Sequence, residues 1–124
     1  AGQDETPELR WDLLPDGADM LTMDGTQSTL VDADKVTGDL HLRSFEPGDR
    51  MQLAGMGGRK KLSDLYREHG IPADRRASMW VVEDGEGIVW TVGVTTCGRC
   101  RITSGTRRVL RLILTPPSQG SRSR

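Results

Sequence analysis

The apolar residues of this chain occur in short runs separated by turn-forming residues, and this spacing most constrains what the chain can fold into. Runs of four to seven such residues are typical of strands, because a strand needs only a few alternating side chains to cover a core. Asp24-Gly25 predicts one hairpin turn, and residues 84–87, Asp-Gly-Glu-Gly, predict the clearest reversal in the chain. The candidate strands are residues 9–14, 20–23, 29–32, 40–44, 79–83, 88–94 and 108–114.

One segment has a helical period instead. Its stripe recurs at i, i+3, i+4 and i+7 and consists of Leu62, Leu65, Tyr66 and His69. Gly70 supplies a stop signal, and Pro72 can begin a further short turn over residues 73–76. The sequence therefore predicts an α+β fold: a compact, β-sandwich-like domain with one main helix over about residues 61–69 and mostly antiparallel strands.

Length limits the number of cores. A chain of 124 residues and 13.7 kDa has room for one modest core. We expect a frayed segment at residues 1–8, a single domain over residues 9–115 and a disordered basic tail over residues 116–124. The chain begins at Ala1 rather than methionine, and we interpret it as part of a longer protein. No apolar run approaches the roughly 18 residues of a membrane span, so a membrane partner is not expected.

Charge is distributed unevenly although the net value is only -1. Residues 1–42 contain ten acids and two bases, whereas residues 43–124 contain eight acids and fifteen bases. Fourteen of the 17 cations are arginine, whose planar guanidinium matches phosphate oxygens. An anionic partner is one interpretation. The alternative is that the acidic part simply folds against the basic part.

Only two cysteines are present, Cys97 and Cys100, which are too few for a disulfide framework and predict a reducing, cytoplasmic setting. Their spacing would suit half of a zinc site or a redox pair. His41 and His69, the remaining soft ligands, are distant in sequence and lack paired-ligand spacing. The favoured interpretation is a turn that happens to contain cysteines, and no metal site is predicted.

Residues 43–61 contain the pattern most suggestive of a binding site. Pro47-Gly48 predicts a type II turn, after which Asp49 can accept local amide hydrogen bonds. Glycines then precede three consecutive cations, residues 59–61, and the first turn of the helix. Exposed amides, a positive helix end and clustered cations favour an anion cradle. A flexible, solubilising glycine loop is the alternative.

No catalytic pattern is visible in the sequence. It contains no phosphate loop of a nucleotide hydrolase, no Ser, His and Asp in the order of a catalytic triad, and no cluster of metal ligands. His69 is more easily explained as the polar edge of the helix stripe than as a general base. Trp80 and Trp90 fit core or cross-strand positions better than base-stacking platforms. Binding is therefore the predicted function, and no catalytic residue is predicted.

From residue 29 to residue 115, the chain resembles the C-terminal domain of bacterial tRNA(Ile)-lysidine synthetase. The pieces that match follow the family's order and approximate spacing. They are Asp32-Ala33-Asp34-Lys35, Arg43, Pro47-Gly48-Asp49-Arg50, Leu53, Gly55-Met56, Lys60-Lys61-Leu62-Ser63-Asp64, Ile71-Pro72, Arg75 or Arg76, Val89-Trp90 and Val92-Gly93.

The resemblance implies a non-catalytic domain of a ligase that uses ATP to join lysine to the wobble cytidine of an isoleucine tRNA. In the family, ATP and lysine belong to an N-terminal catalytic domain, so no cofactor is expected in this chain. The implied partners are tRNA(Ile), held on its acceptor-stem side, and that catalytic domain; a homodimer belongs to the competing docking hypothesis. The implied fold is also found in the β subunit of phenylalanyl-tRNA synthetase.

Resemblance and electrostatics together select the candidate RNA-binding residues. They are Arg43, Arg50, Arg59, Lys60, Lys61, Arg75 and Arg76, with the amides of Gly55, Gly57 and Gly58 as the anion cradle. The competing function is a protein–protein interaction module that docks onto the catalytic domain or onto a second copy.

Overall fold

The computed structural model describes residues 6–14 and 27–116, and their secondary structure is mostly antiparallel strand. The predicted α+β class is confirmed. The strands are β1 (Glu8–Leu14), β2 (Gln27–Asp32), β3 (His41–Ser44), β4 (Arg50–Gln52), β5 (Arg59–Lys61), β6 (Trp80–Glu83), β7 (Ile88–Thr91), β8 (Thr95–Thr96) and β9 (Val109–Thr115). The α-helices are α1 (Leu62–Glu68) and α2 (Ala73–Arg76), and a 3-10 turn covers Ala33–Lys35.

The first sheet joins the two ends of the described chain in the order β1-β9-β2. Its central strand, β9, alternates as the sequence predicts. Leu110, Leu112 and Leu114 are buried, while the intervening side chains are half-buried. Successive strand residues point to opposite faces, so one face of β9 lies on the core.

The second sheet has the order β3-β6-β7-β8 and contains the predicted hairpin across residues 84–87. All four residues of β7 are buried. Trp90 lies opposite Val82 and is 3% exposed, so it is a core cross-strand partner as expected. The loop is fixed from outside as well, because the amide of Gly85 donates to the carbonyl of Thr37 at 2.6 Å.

Helix α1 packs through the predicted stripe and is one residue shorter at each end than predicted. Leu62, Leu65 and Tyr66 are buried, and the Tyr66 hydroxyl lies 2.6 Å from the Thr91 hydroxyl. The helix ends in a Schellman motif with Gly70 at φ +75°. His69 is exposed and its Nδ1 lies 3.0 Å from the Leu65 carbonyl, consistent with the polar edge of the stripe.

A third, two-stranded sheet, β4 with β5, was not predicted. The sequence places Arg59–Lys61 in a loop that enters the helix, whereas the structure places them in a strand. Each strand has only three residues, and only Met51 of β4 is buried, so the alternating pattern is too short to be recognised.

The buried residues of both larger sheets and of α1 form one hydrophobic cluster. The predicted strand at residues 20–23, the turn at 24–25, most of the segment 1–8 and the tail after residue 116 lie outside the described residues. The predicted domain boundaries at residues 9 and 115 remain predictions. Among the described helices, none has both the length and the apolar character needed to cross a bilayer.

Candidate nucleic-acid interface

The β4–β5 hairpin sorts the predicted cations onto two faces. Its register pairs Arg50 with Lys61, Met51 with Lys60, and Gln52 with Arg59. Directly opposed residues share a face, and alternate residues along a strand return to it. Arg50, Arg59 and Lys61 therefore share the face turned to solvent, and all three are exposed. Lys60 lies on the opposite face beside buried Met51.

Two of the candidate cations already have carboxylate partners. The ammonium of Lys60 forms an ion pair with Glu68 on α1. Arg43 holds Asp49 through two hydrogen bonds of 3.0 Å and reaches Glu83 at 3.1 Å. Hydrogen bonding to Asp49 raises the pKa of Arg43 further above its ordinary value. Arg43 thus stabilises the turn before β4 instead of presenting free donors.

That turn has the predicted type II form. Gly48 has φ +97°, and the amide of Asp49 donates to the Glu46 carbonyl at 3.0 Å. The Asp49 carboxylate also accepts from the amide of Glu46 at 2.8 Å. Burial alone would raise the pKa of Asp49, but the hydrogen bonds from Arg43 and this amide outweigh it and lower the pKa. The rigid turn orients β4, and with it Arg50.

The turn at residues 97–100 packs directly against the hairpin. The amide of Gly98 donates to the Gln52 carbonyl at 2.9 Å. A Cβ at residue 98 would lie only 2.5 Å from the backbone nitrogen of Ala54. Only glycine allows so close a backbone approach. The contact brings Arg99 and Arg101, which are distant in sequence, to the side of Arg59.

The β4–β5 hairpin and the turn at residues 97–100 border an open cleft of about 390 Å³. Three guanidinium groups, from Arg59, Arg99 and Arg101, line it against a single carboxylate, from Glu86. The other lining residues are Gln52, Ala54, Gly55, Gly98 and Thr103. Cations, small residues and hydrogen-bonding groups on one concave surface suit a polyanion.

Arg99 differs from its neighbours in the cleft because it is anchored. It makes bonds of 3.0 and 2.9 Å to Asp84, whose side chain is fully buried, and one of 2.8 Å to the Lys35 carbonyl. Burial alone would lower the pKa of Arg99, but the bond to Asp84 raises it. Arg59 and Arg101 have no ion pair within the described part of the chain. Arg99 therefore fixes the cleft wall while its neighbours keep their donors available.

The remaining predicted site residues lie at different places. Gly55, with φ +80°, is at the hairpin tip and lines the cleft; Gly57 and Gly58 stand in open space beside it. Arg75 and Arg76 belong to α2 and do not line the cleft, and Arg76 donates to the Ile71 carbonyl at 3.2 Å.

At the start of α1, the first amide, that of Leu62, already donates to the Asp49 carbonyl at 2.9 Å. The structure thus gathers Gly55 and Arg59 into the cleft, with Arg50 and Lys61 on the same hairpin face. Whether any of the predicted residues binds RNA remains a prediction. Sequence reasoning missed Arg99 and Arg101; the only local signal was the glycine at residue 98.

Acids from the first 42 residues neutralise arginines elsewhere in the molecule. Arg111 of β9 pairs with Asp12 of β1 at 2.8 Å, and Arg108 pairs with Asp34 at 2.7 Å. Hydrogen bonding to Arg111 lowers the pKa of Asp12. The acidic part therefore does fold against some of the basic part, but these pairs lie at the β1-β9-β2 sheet.

Comparisons with known proteins identify the family to which this chain belongs. Residues 40–113 match the sequence model of the TilS substrate C-terminal domain family. Several relatives are named tRNA(Ile)-lysidine synthase. The relative from Symbiobacterium thermophilum is 36% identical, and the match covers 73% of this chain and 19% of the relative. The relative from Parabacteroides distasonis is 41% identical, and the match covers 64% of this chain and 18% of the relative. The chain thus spans about a fifth of the length of the curated relatives it matches.

Two solved structures have the same fold. A crystal structure of a TILS C-terminal domain is 28% identical, with a TM-score of 0.61, and is matched over 88% of this chain and 98% of its own. An N-terminal fragment of the phenylalanyl-tRNA synthetase β subunit from Pyrococcus horikoshii has a TM-score of 0.61 at 17% identity, over 73% of this chain and 28% of its own. The second shows similarity of fold alone.

Proposed function

Because the chain belongs to the TilS substrate C-terminal domain family, we propose that it is a non-catalytic module that holds tRNA(Ile) for a tRNA(Ile)-lysidine synthase. The module grips the body of the tRNA on its acceptor-stem side. ATP and lysine are used by the catalytic part of the parent ligase, which makes that part the second partner of this domain. The cytoplasm, where tRNA is modified, is the proposed location.

The observation that supports RNA binding most directly is the cleft between the β4–β5 hairpin and the turn at residues 97–100. An A-form stem presents phosphates and 2′-hydroxyls, while its deep major groove hides the base edges. A surface that grips such a stem needs cations and hydrogen-bonding groups more than base-reading side chains. The cleft supplies these groups, since Arg59 and Arg101 line it together with Gln52 and Thr103.

The cationic side chains that have no carboxylate partner among the described residues make the proposed contacts with the RNA. Arg59 and Arg101 bind phosphate oxygens inside the cleft, and Arg50 and Lys61 extend the contact along the hairpin face. Arg99 keeps the wall in place through Asp84. Arg43 and Lys60, whose charged groups are paired, contribute less than the sequence pattern implies.

Fluorescence anisotropy with a labelled tRNA acceptor stem tests this proposal. Neutralising three to five phosphates gives a slope of log affinity against log salt of about -2 to -4. The double variant Arg59→Gln/Arg101→Gln should weaken binding roughly tenfold and reduce the slope by about two. The matched control is Arg10→Gln, because Arg10 is an exposed arginine on β1 of the β1-β9-β2 sheet. This control should leave the affinity and the salt slope unchanged. Equal losses in the control and the double variant, or a flat salt response, would refute the proposal.

A second candidate function, docking onto the catalytic part of the parent protein, is favoured by an apolar surface on β1. Trp11 and Leu13 are 47% and 52% exposed. They border a groove of about 450 Å³ that Val36, Leu40 and Leu110 also line. Sedimentation of the chain with the separately produced catalytic part distinguishes the two functions: docking should be lost on Trp11→Ser and kept in Arg59→Gln/Arg101→Gln.

A further inference from the structure

Cys97 and Cys100 form a buried thiol pair that the proposed RNA contact does not use. Both are free thiols, and their exposed fractions are 1% and 0%. The pair sits in the turn that carries Arg99, and the Cys100 sulfur lies 3.5 Å from the Lys35 carbonyl. No third histidine, cysteine or carboxylate in residues 6–14 and 27–116 joins them as a possible metal ligand. The arrangement is therefore a pair of neighbouring thiols, without the ligands of a structural metal site.

The two sulfurs have opposite surroundings. The neighbouring Cys100 side chain, the backbone amides of Cys100 and Arg99, and the charge of Arg99 lower the pKa of Cys97. The neighbouring Cys97 side chain and burial raise the pKa of Cys100. The first sulfur is therefore richer in thiolate at neutral pH than an ordinary cysteine. Cys97 is thus the nucleophile and Cys100 the proton-bearing partner.

A small pocket of about 30 Å³ reaches Cys97. Three cations, Arg50, Arg59 and Arg99, and one carboxylate, from Glu86, line this pocket; the excess of positive charge favours the anionic form of the sulfur. Because roughly 10–15 Å³ of such space is enough for one water molecule, the pocket has room for the two oxygens of hydrogen peroxide and excludes a tripeptide disulfide.

We propose that Cys97 and Cys100 are an oxidation site, in which hydrogen peroxide converts the two thiols into an intramolecular disulfide. The Cys97 thiolate attacks one peroxide oxygen and breaks the O–O bond; with one proton, the other oxygen leaves as water and Cys97 becomes a sulfenic acid. The Cys100 sulfur then attacks the Cys97 sulfur, and the sulfenic hydroxyl leaves as water with the Cys100 proton. Two thiols are oxidised, and one peroxide is reduced to two waters.

The turn allows the bond to close. The backbone amide of Arg101 donates to the Gly98 carbonyl at 3.3 Å, so residues 98–101 already form a reverse turn, with Cys97 directly before it and Cys100 within it. Closing the pair would tighten the segment that holds Arg99 and Arg101 at the cleft. The oxidation itself does not depend on RNA binding.

The test treats the reduced chain with hydrogen peroxide at pH 7 and follows intact mass and free thiols. The expected product is a monomer that has lost two hydrogen atoms and both thiols, and that dithiothreitol restores. Glutathione disulfide should give no mixed disulfide on the same timescale. With Cys100→Ser, dimedone should label a sulfenic acid on Cys97, whereas Cys97→Ser should keep its remaining thiol.

The unsubstituted chain gives a second readout that needs no variant to fold. Its rate of oxidation by peroxide should become half-maximal at a pH below the value of about 8.5 that is typical of an ordinary thiol. Thiols that react only after denaturant is added, disulfides that link two copies, or purified chain with stoichiometric zinc on the pair would each overturn the proposal.

Discussion

Two regions of this molecule each contain arginines, but these arginines differ in how many carboxylates lie beside them. At the β1-β9-β2 sheet, Arg111 of β9 and Arg108, directly before β9, each pair with a carboxylate from the first 42 residues. At the hairpin cleft, Arg59 and Arg101 share a concave surface with one carboxylate, Glu86, which accepts a hydrogen bond from Thr37 at 2.7 Å. The comparison teaches that a net charge near zero conceals a cationic site when the acids are folded onto different arginines.

The largest expected effect comes from disturbing the backbone contact that builds the cleft. Gly98→Ala places a methyl group against the Leu53–Ala54 backbone, which has no flexible end that could move away. We expect a loss of about 2–4 kcal/mol in the free energy of unfolding, measured by urea denaturation. The matched control is Gly57→Ala, where a Cβ meets open space and φ is not positive; its stability should change by less than about 1 kcal/mol. Similar losses in both variants would mean that this contact does not matter.

A smaller effect is expected from Asp84→Asn, which leaves Arg99 with a neutral partner. Removing one charge from a buried pair should cost about 2–3 kcal/mol at pH 7, read from urea denaturation. Burial opposes ionisation of Asp84, yet the bonds from Arg99 and from the amides of Thr37 and Glu86 hold its pKa below the model-compound value of 3.8.

The sign of the pH dependence follows from that lowered pKa. The contribution of Asp84 to stability is fully present above about pH 4 and is lost as the pH falls through the folded-state pKa. The difference between the parent chain and Asp84→Asn should therefore shrink below pH 4. A difference that stays constant from pH 7 to pH 3 would contradict the assigned ion pair.

The smallest effect is expected at the β1-β9-β2 sheet. Arg108→Gln and Arg111→Gln remove one exposed and one half-buried arginine, each of which a carboxylate already neutralises. Their affinity for a tRNA stem, measured by anisotropy, should stay within about twofold of the parent chain, with an unchanged salt slope. If either substitution weakened binding as much as Arg59→Gln/Arg101→Gln, the contrast between the two regions would fail.

Patterns local in sequence predicted much of the fold. The alternation in β9, the glycine-rich reversal after β6 and the stripe of α1 each lie within a few residues, and the structure has all three. The type II turn at Pro47-Gly48 was equally local. The three-residue strands β4 and β5 were missed because neither contains a full alternating pattern.

The candidate site was harder to predict because its geometry depends on contacts between distant segments. The run Arg59-Lys60-Lys61 suggested one cluster, but strand pairing places Lys60 on the other face, where Glu68 binds it. Arg99 and Arg101 reach the cleft only through the approach of Gly98 to residues 53 and 54. A single sequence does not reveal which carboxylate will meet which arginine across 15 to 99 residues.

The pairing of β1 with β9 also determines how the fold would respond to force. Glu8 lies opposite Thr115 at one end of this antiparallel ladder, and Leu14 lies opposite Val109 at the other. Tension applied through both termini would act on the same end of the ladder and open its hydrogen bonds one after another, like a zipper, instead of shearing them together. The two strands should therefore separate at low pulling force.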